Sequence, residues 1–142
     1  MENKIVAFGT VLNDVIERFY LAKDHSDGVS GIATGFCQLD LLTGGWQNSD
    51  LIVIAGYPRM GKTALMLSMA INMAKVQNIS VGIFSLHHSN EVLVRKMMCN
   101  EGESEEQLLA KGQLLDEEWA RFNTSQDKLY QTSISFYDPP SP

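Results

Sequence analysis

Gly56-Tyr57-Pro58-Arg59-Met60-Gly61-Lys62-Thr63 fits the pattern G-x-x-x-x-G-K-[ST] at every fixed position. That pattern is a phosphate-binding loop, and its flanks are what such a loop needs. Before it, Leu51-Ile52-Val53-Ile54-Ala55 is an apolar run suited to a strand buried on both faces. After it, Lys62 to Val76 is rich in Ala, Leu and Met and free of Gly and Pro, which predicts a helix. Glycines in the loop let backbone N–H groups converge on phosphate oxygens, and the helix N-terminus adds partial positive charge. Lys62 is placed to reach the β- and γ-phosphates, and the Thr63 hydroxyl to coordinate Mg²⁺. A chance match in a loop that merely needs glycines is disfavoured, because motif and flanks agree. The expected ligand is a nucleoside triphosphate with Mg²⁺.

Composition bounds the rest. A chain of 142 residues, 44% apolar and 20% charged, suits one soluble domain with a real core. No apolar run approaches the ~20 residues that span a bilayer. The start of the chain, with Asn13, Asp14, Glu17 and Arg18, lacks the apolar core of a signal peptide, so a cytoplasmic location is expected. Cys37 and Cys99 are distant, with no C-x-x-C, and adjacent His87 and His88 would point to opposite faces of a strand. Zinc is therefore not expected, and the cysteines read as core filler. The formal charge is −6, Arg95-Lys96 is the only adjacent basic pair, and Glu101 to Glu106 holds four carboxylates. An autonomous DNA-binding surface would be basic.

Along the chain, Ile5, Phe8, Leu12, Val15, Ile16 and Phe19 recur at helical spacing and predict a helix from about Lys4 to Lys23. Its stripe could pack on the chain's own core or on a neighbouring subunit, and the sequence leaves both open. His25 to Ser30 reads as a loop, and residues 36–42 as a short helix ended by Thr43-Gly44-Gly45. Val81 to Leu86 reads as a second strand, so strand, helix and strand form a βαβ unit with a parallel sheet. Ser89 caps a helix over Asn90 to Asn100. Ser104 to Gln107 is a capping box opening a short helix that Gly112 ends, and Asp116-Glu117-Glu118 opens another. Ser133 to Tyr137 is a third strand whose alternation suits a sheet edge.

The segments around the loop carry a specific likeness. Gly31-Ile32-Ala33-Thr34-Gly35-Phe36, Leu39-Asp40, Leu42-Thr43-Gly44-Gly45, Asp50 to Ala55, Pro58 to Ala64, and Ile83 to Leu86 with Ser89 and Arg95 together resemble the helicase domain of DnaB-type replicative helicases. The resemblance is strong from about Gly28 to Asn100 and weaker to Pro142. It implies an α/β, partial RecA-like P-loop NTPase fold, with a parallel sheet flanked by helices. Residues 1–27 would be the linker helix and 28–142 the partial domain. It also implies a homohexameric ring that hydrolyses ATP to move along single-stranded DNA. Gly56, Tyr57, Pro58, Arg59, Met60, Gly61, Lys62, Thr63 and Ala64 would hold ATP, with Thr63 on Mg²⁺ and Arg95 in the motif after the second strand.

The chain also departs from the family pattern. Tyr57 and Arg59 stand where the family usually has Arg and Ser, which leaves the glycines and the lysine in place. His87 stands at the position of the family's catalytic glutamate, and a polar strand-end residue is the expected reading there. The strand with the metal-linked aspartate, the DNA loops and the arginine finger would lie beyond Pro142; Asp138 is a poor substitute for that aspartate. The phosphate-loop strand should then lack neighbours and invite association. A chain inactive alone is expected. The competing function is a hydrolysis-incompetent nucleotide-binding module that docks on a full-length helicase. A small P-loop kinase is disfavoured, because the acidic 101–106 segment is no basic lid.

Overall fold

The computed structural model describes residues 5–24, 28–104 and 106–137. It forms two compact units that divide between Asp50 and Leu51.

The first unit holds helix α1 (Phe8–Asp24) and helix α2 (Cys37–Thr43). Lys4 lies outside the described residues, and Ile5 precedes the helix rather than starting it. The α1 stripe forms at the expected spacing, yet Phe8, Leu12, Val15, Ile16 and Phe19 are all exposed. Residues 28–50 close on themselves. Ile32 and Trp46 form an antiparallel bridge with N–H···O distances of 2.8 and 2.9 Å, and the Gly31 N–H donates to the Gly44 carbonyl at 2.9 Å. Buried Asp40, on α2, is the centre of this clasp. Its carboxylate accepts from the Thr34 N–H and Oγ–H, each at 2.7 Å, and from the Gly35 N–H at 3.1 Å. Gly45 sits at φ +77°, and a Cβ there would lie 2.9 Å from the Gly31 backbone. A side chain is thus excluded twice, by conformation and by space. Cys37 is exposed, contrary to its expected place in a core, because α2 turns that face outward.

The second unit contains α3 (Lys62–Val76), β1 (Val81–Phe84), α4 (Asn90–Gly102), α5 (Glu106–Lys111), α6 (Asp116–Tyr130) and β2 (Ile134–Tyr137). The strands pair in parallel, with Val81 opposite Ile134 and Phe84 opposite Tyr137. The core joins Leu67, Ala70 and Ile71 of α3 to Ile83 of β1 and to Leu93 and Met97 of α4. Val81, Leu129, Ile134 and Phe136 pack against it. Helix α3 buries Leu67, Met69, Ala70, Ile71, Met73 and Ala74 in its central and later turns. Gly102, at the end of α4, lets α6 come close: a Cβ there would lie 3.3 Å from Ser125 Oγ and 3.5 Å from Phe122 Cα. Between α3 and α4, Lys75 and Glu101 pair at 2.6 Å, worth about 0.2–1 kcal/mol for a partly exposed bridge.

Helix ends follow the sequence closely. Ser89 Oγ accepts from the Val92 N–H, as an N-cap should, and Gly112 has φ +65° past the end of α5. The Glu118 carboxylate accepts from the Leu115 N–H at 2.8 Å at the start of α6.

The strand expected over Leu51–Ala55 does not form. No described residue pairs with it, and Leu51 and Val53 are 90% and 76% exposed. A strand needs a neighbour's backbone to satisfy its own. The parallel partner of β1 is therefore β2, reached through α4, α5 and α6, and not the segment before α3.

Candidate phosphate-binding site

The Gly56–Thr63 loop leads directly into α3, with Gly61 as the residue before the first helical position. Gly61 sits at φ +80°, a left-handed conformation open to glycine at little cost. Its carbonyl accepts from the Leu65 N–H at 2.9 Å and so starts the helix. Arg59 is also left-handed, at φ +63°, which costs a non-glycine residue on the order of 1 kcal/mol. Lys62 folds back over the loop, its ammonium donating to the Gly56 carbonyl at 3.0 Å and the Tyr57 carbonyl at 2.9 Å. The first N–H groups of α3 have no helical partner of their own, so this end of the helix is suited to an anion.

A cleft of about 760 Å³ opens beside the loop. Pro58 to Ala64 form one wall; His87, His88, Lys96, Cys99, Asn100 and Ser104 form the other. His87 follows β1 and is exposed, its ring edge-on to His88 with centroids 4.6 Å apart. Ser85 fixes this turn: its Oγ donates to the His88 carbonyl at 2.7 Å and accepts from the His88 N–H at 3.0 Å.

Most of the residues read from the sequence thus come together. Gly56 and Tyr57 do not line the cleft but supply the carbonyls that hold Lys62. Arg95 does not line it either, since its guanidinium pairs with Glu91 at 2.9 Å along α4. Lys96, Cys99 and Asn100 went unnoticed as site residues. Helical spacing from the Ser89 cap could have found them, because positions 96, 99 and 100 share a face. Asp138 lies outside the described residues. Among the described residues the cleft carries the cations Arg59, Lys62 and Lys96 and no carboxylate, in a chain whose formal charge is −6. No cluster of His, Cys, Asp or Glu among the described residues could hold a metal ion alone. No described helix is long and apolar enough to cross a membrane.

A model of the DnaB-like helicase C-terminal domain matches residues 31–141. The chain belongs to the DnaB-like helicase C-terminal domain family. Over 131 residues it is 37% identical to the replicative DNA helicase DnaB of Geobacillus stearothermophilus, covering 92% of this chain and 29% of that protein. Over 127 residues it is 41% identical to the replicative DNA helicase DnaC of Bacillus subtilis (strain 168), covering 89% and 27%. The chain therefore spans less than a third of the length of these DnaB-like relatives. Among solved structures, an ATPase domain superposes with a TM-score of 0.82 at 23% identity, over 95% of this chain and 47% of that one. A DnaB-like replicative helicase, described with its interactions with primase, gives 0.78 at 24% identity, over 96% and 32%. At those identities the structures speak to fold. The fold is that of a RecA-like helicase ATPase domain in part: a small parallel sheet flanked by helices, with a helix at its N-terminal side.

Proposed function

We propose that this chain is the ATP-binding portion of a DnaB-like replicative DNA helicase. Residues 1–27 act as the linker helix and 28–142 as the partial nucleotide-binding domain. The supporting observation is the glycine loop at the N-terminus of α3, with Lys62 held over it and an adjoining cleft bearing cations. The loop amides and Lys62 take the phosphates. A divalent ion fits modestly. Thr63 offers a hydroxyl at the cleft, and Mg²⁺ commonly takes one or two protein ligands, with phosphates and water completing its shell. Such an ion would neutralise phosphate charge. The ring assembly, DNA translocation and cytoplasmic setting of DnaB helicases belong to this proposal as properties of a whole protein.

His87 is not positioned here as an effective general base. It is exposed and set against His88, and water activation depends on geometry before basicity. Binding without turnover is the expected behaviour of these residues. The decisive test is calorimetric titration with ATP and Mg²⁺, comparing the parent with Lys62→Ala. Removal of the main phosphate cation should abolish binding; equal affinities would sink the assignment.

The exposed stripe on α1 favours one second reading, a nucleotide-binding module that docks on a full-length helicase. Co-elution of the chain with a purified DnaB-like hexamer, lost in Phe19→Ser, would support it.

A further inference from the structure

Resting on the nucleotide-binding reading above, we propose that His87 and His88 form a second, proton-dependent phosphate-binding wall of this cleft. The pair takes up a proton as a polyphosphate binds, so that affinity is set by pH as well as by the loop.

The cleft has two walls of different origin. Pro58 to Ala64 form the loop wall, and both imidazoles line the wall opposite, in the turn that follows β1. Hydrogen bonds fix that turn. Ser85 Oγ donates to the His88 carbonyl at 2.7 Å and accepts from the His88 N–H at 3.0 Å, which ties residue 85 to residue 88 through one side chain. His88 is half-buried there, and the exposed His87 ring stands edge-on to it with centroids 4.6 Å apart. Adjacent residues on a regular strand would project to opposite faces. Because β1 ends at Phe84, the turn instead brings both rings to one cleft.

Charge gives this placement its meaning. Among the described lining residues, the charged and titratable groups facing the pair are Arg59 and Lys62 from the loop wall and Lys96 and Cys99 from α4. None of them is a carboxylate, so an imidazolium finds no fixed counter-ion among the described residues of the cleft. A bound polyphosphate would supply one. Histidine is the side chain that gains charge within the physiological pH range, and an anion beside it favours the charged form. A charged imidazole donates from both ring nitrogens, and a hydrogen bond from a cation to a phosphate oxygen is of the stronger kind. The sign follows. Affinity rises as pH falls through the range in which histidine protonates, and the gain is lost above that range.

The test titrates the full chain with ATP by calorimetry at about pH 6 and about pH 8. Divalent ions are left out, so that no metal competes with the protein for phosphate oxygens. The nucleotide also titrates in this range, so the parent is always read against a variant under the same conditions. Relative to His87→Gln/His88→Gln, the parent should gain about fivefold in affinity on going from the higher pH to the lower. That is the size expected of one group whose proton affinity rises about tenfold in the complex. Near the middle of the range, two buffers of different ionisation enthalpy should show the parent taking up about half a proton more than the double variant. His25, the chain's other histidine, lies outside the described residues, and His25→Gln should behave as the parent does. The same pH response in parent and double variant overturns the inference. So does a double variant weakened equally at both pH values, which is what a merely structural role predicts, and so does loss of the response in His25→Gln. If the double variant loses its helical circular dichroism, the two single variants replace it; a full response in both overturns the inference. Binding of ATP that appears only with Mg²⁺ overturns it and leaves the site standing. A parent chain that binds ATP under neither condition overturns the site and this inference together.

Discussion

Leu51–Ala55 and Val81–Phe84 are sequences of the same kind, short and apolar with β-branched residues, yet they end differently. Val81–Phe84 is the strand β1: it pairs with β2, and its Ile83 is 7% exposed. Leu51–Ala55 pairs with nothing described, and its Val53 is 76% exposed. Apolar character states a preference for burial, but a strand also requires a neighbouring edge to receive its N–H and C=O groups. Among the described residues β2 supplies that edge to β1 alone.

The largest effect that could break this comparison is in the core. Ile83→Ala should cost about 2–5 kcal/mol and Val53→Ala less than about 0.5 kcal/mol, because only the first leaves a cavity. Urea unfolding of the two variants measures the difference, and similar costs would mean that 51–55 is buried after all. A smaller loss is expected where the first unit closes without a ladder. Asp40→Ala should cost about 1–3 kcal/mol, because the buried Thr34 donors lose their acceptor. Near-ultraviolet circular dichroism from Trp46, in a Trp119→Phe background, reports on that clasp; an unchanged melt would show it to be incidental. The smallest effect on stability is expected from Val53→Lys, close to zero. Its signature is in association, where a charge on an unpaired apolar segment should lower the sedimentation average at high concentration. Identical sedimentation in variant and parent would show that the segment is not adhesive.

Much of this architecture can be read from residue types. Helix α3 spans Lys62–Val76 as its composition predicts, Ser89 caps α4, and Gly44 ends α2 in a left-handed conformation. These features depend on local chemistry, which a sequence carries in full. What depends on distant partners was less legible. The stripe on α1 predicts the helix and not its covering, so the residues that form it are exposed. The hydrophobic run before the loop predicts a strand and not its pairing. In the site, the loop was fully legible as a motif because its residues are contiguous. The facing wall was not, since Lys96 joins it through the rotation of α4 and carries no motif of its own. Arg95 and Lys96 are indistinguishable in sequence, and only the turn of α4 sends Arg95 toward Glu91 and Lys96 toward the cleft.

Lys62 has a consequence for how the loop spends its freedom. Its ammonium ties down the Gly56 and Tyr57 carbonyls, so the side chain that would meet a phosphate also keeps the backbone curled. An arriving anion would compete with two fixed dipoles for the same cation, and the exchange would return mobility to the peptide units that release it. Association would then cost less order than a rigid cradle demands, with part of its driving force entropic. Truncation of Lys62 would unfasten the cradle as well as discharge it. The affinity lost in Lys62→Ala is therefore an upper bound on the worth of the charge.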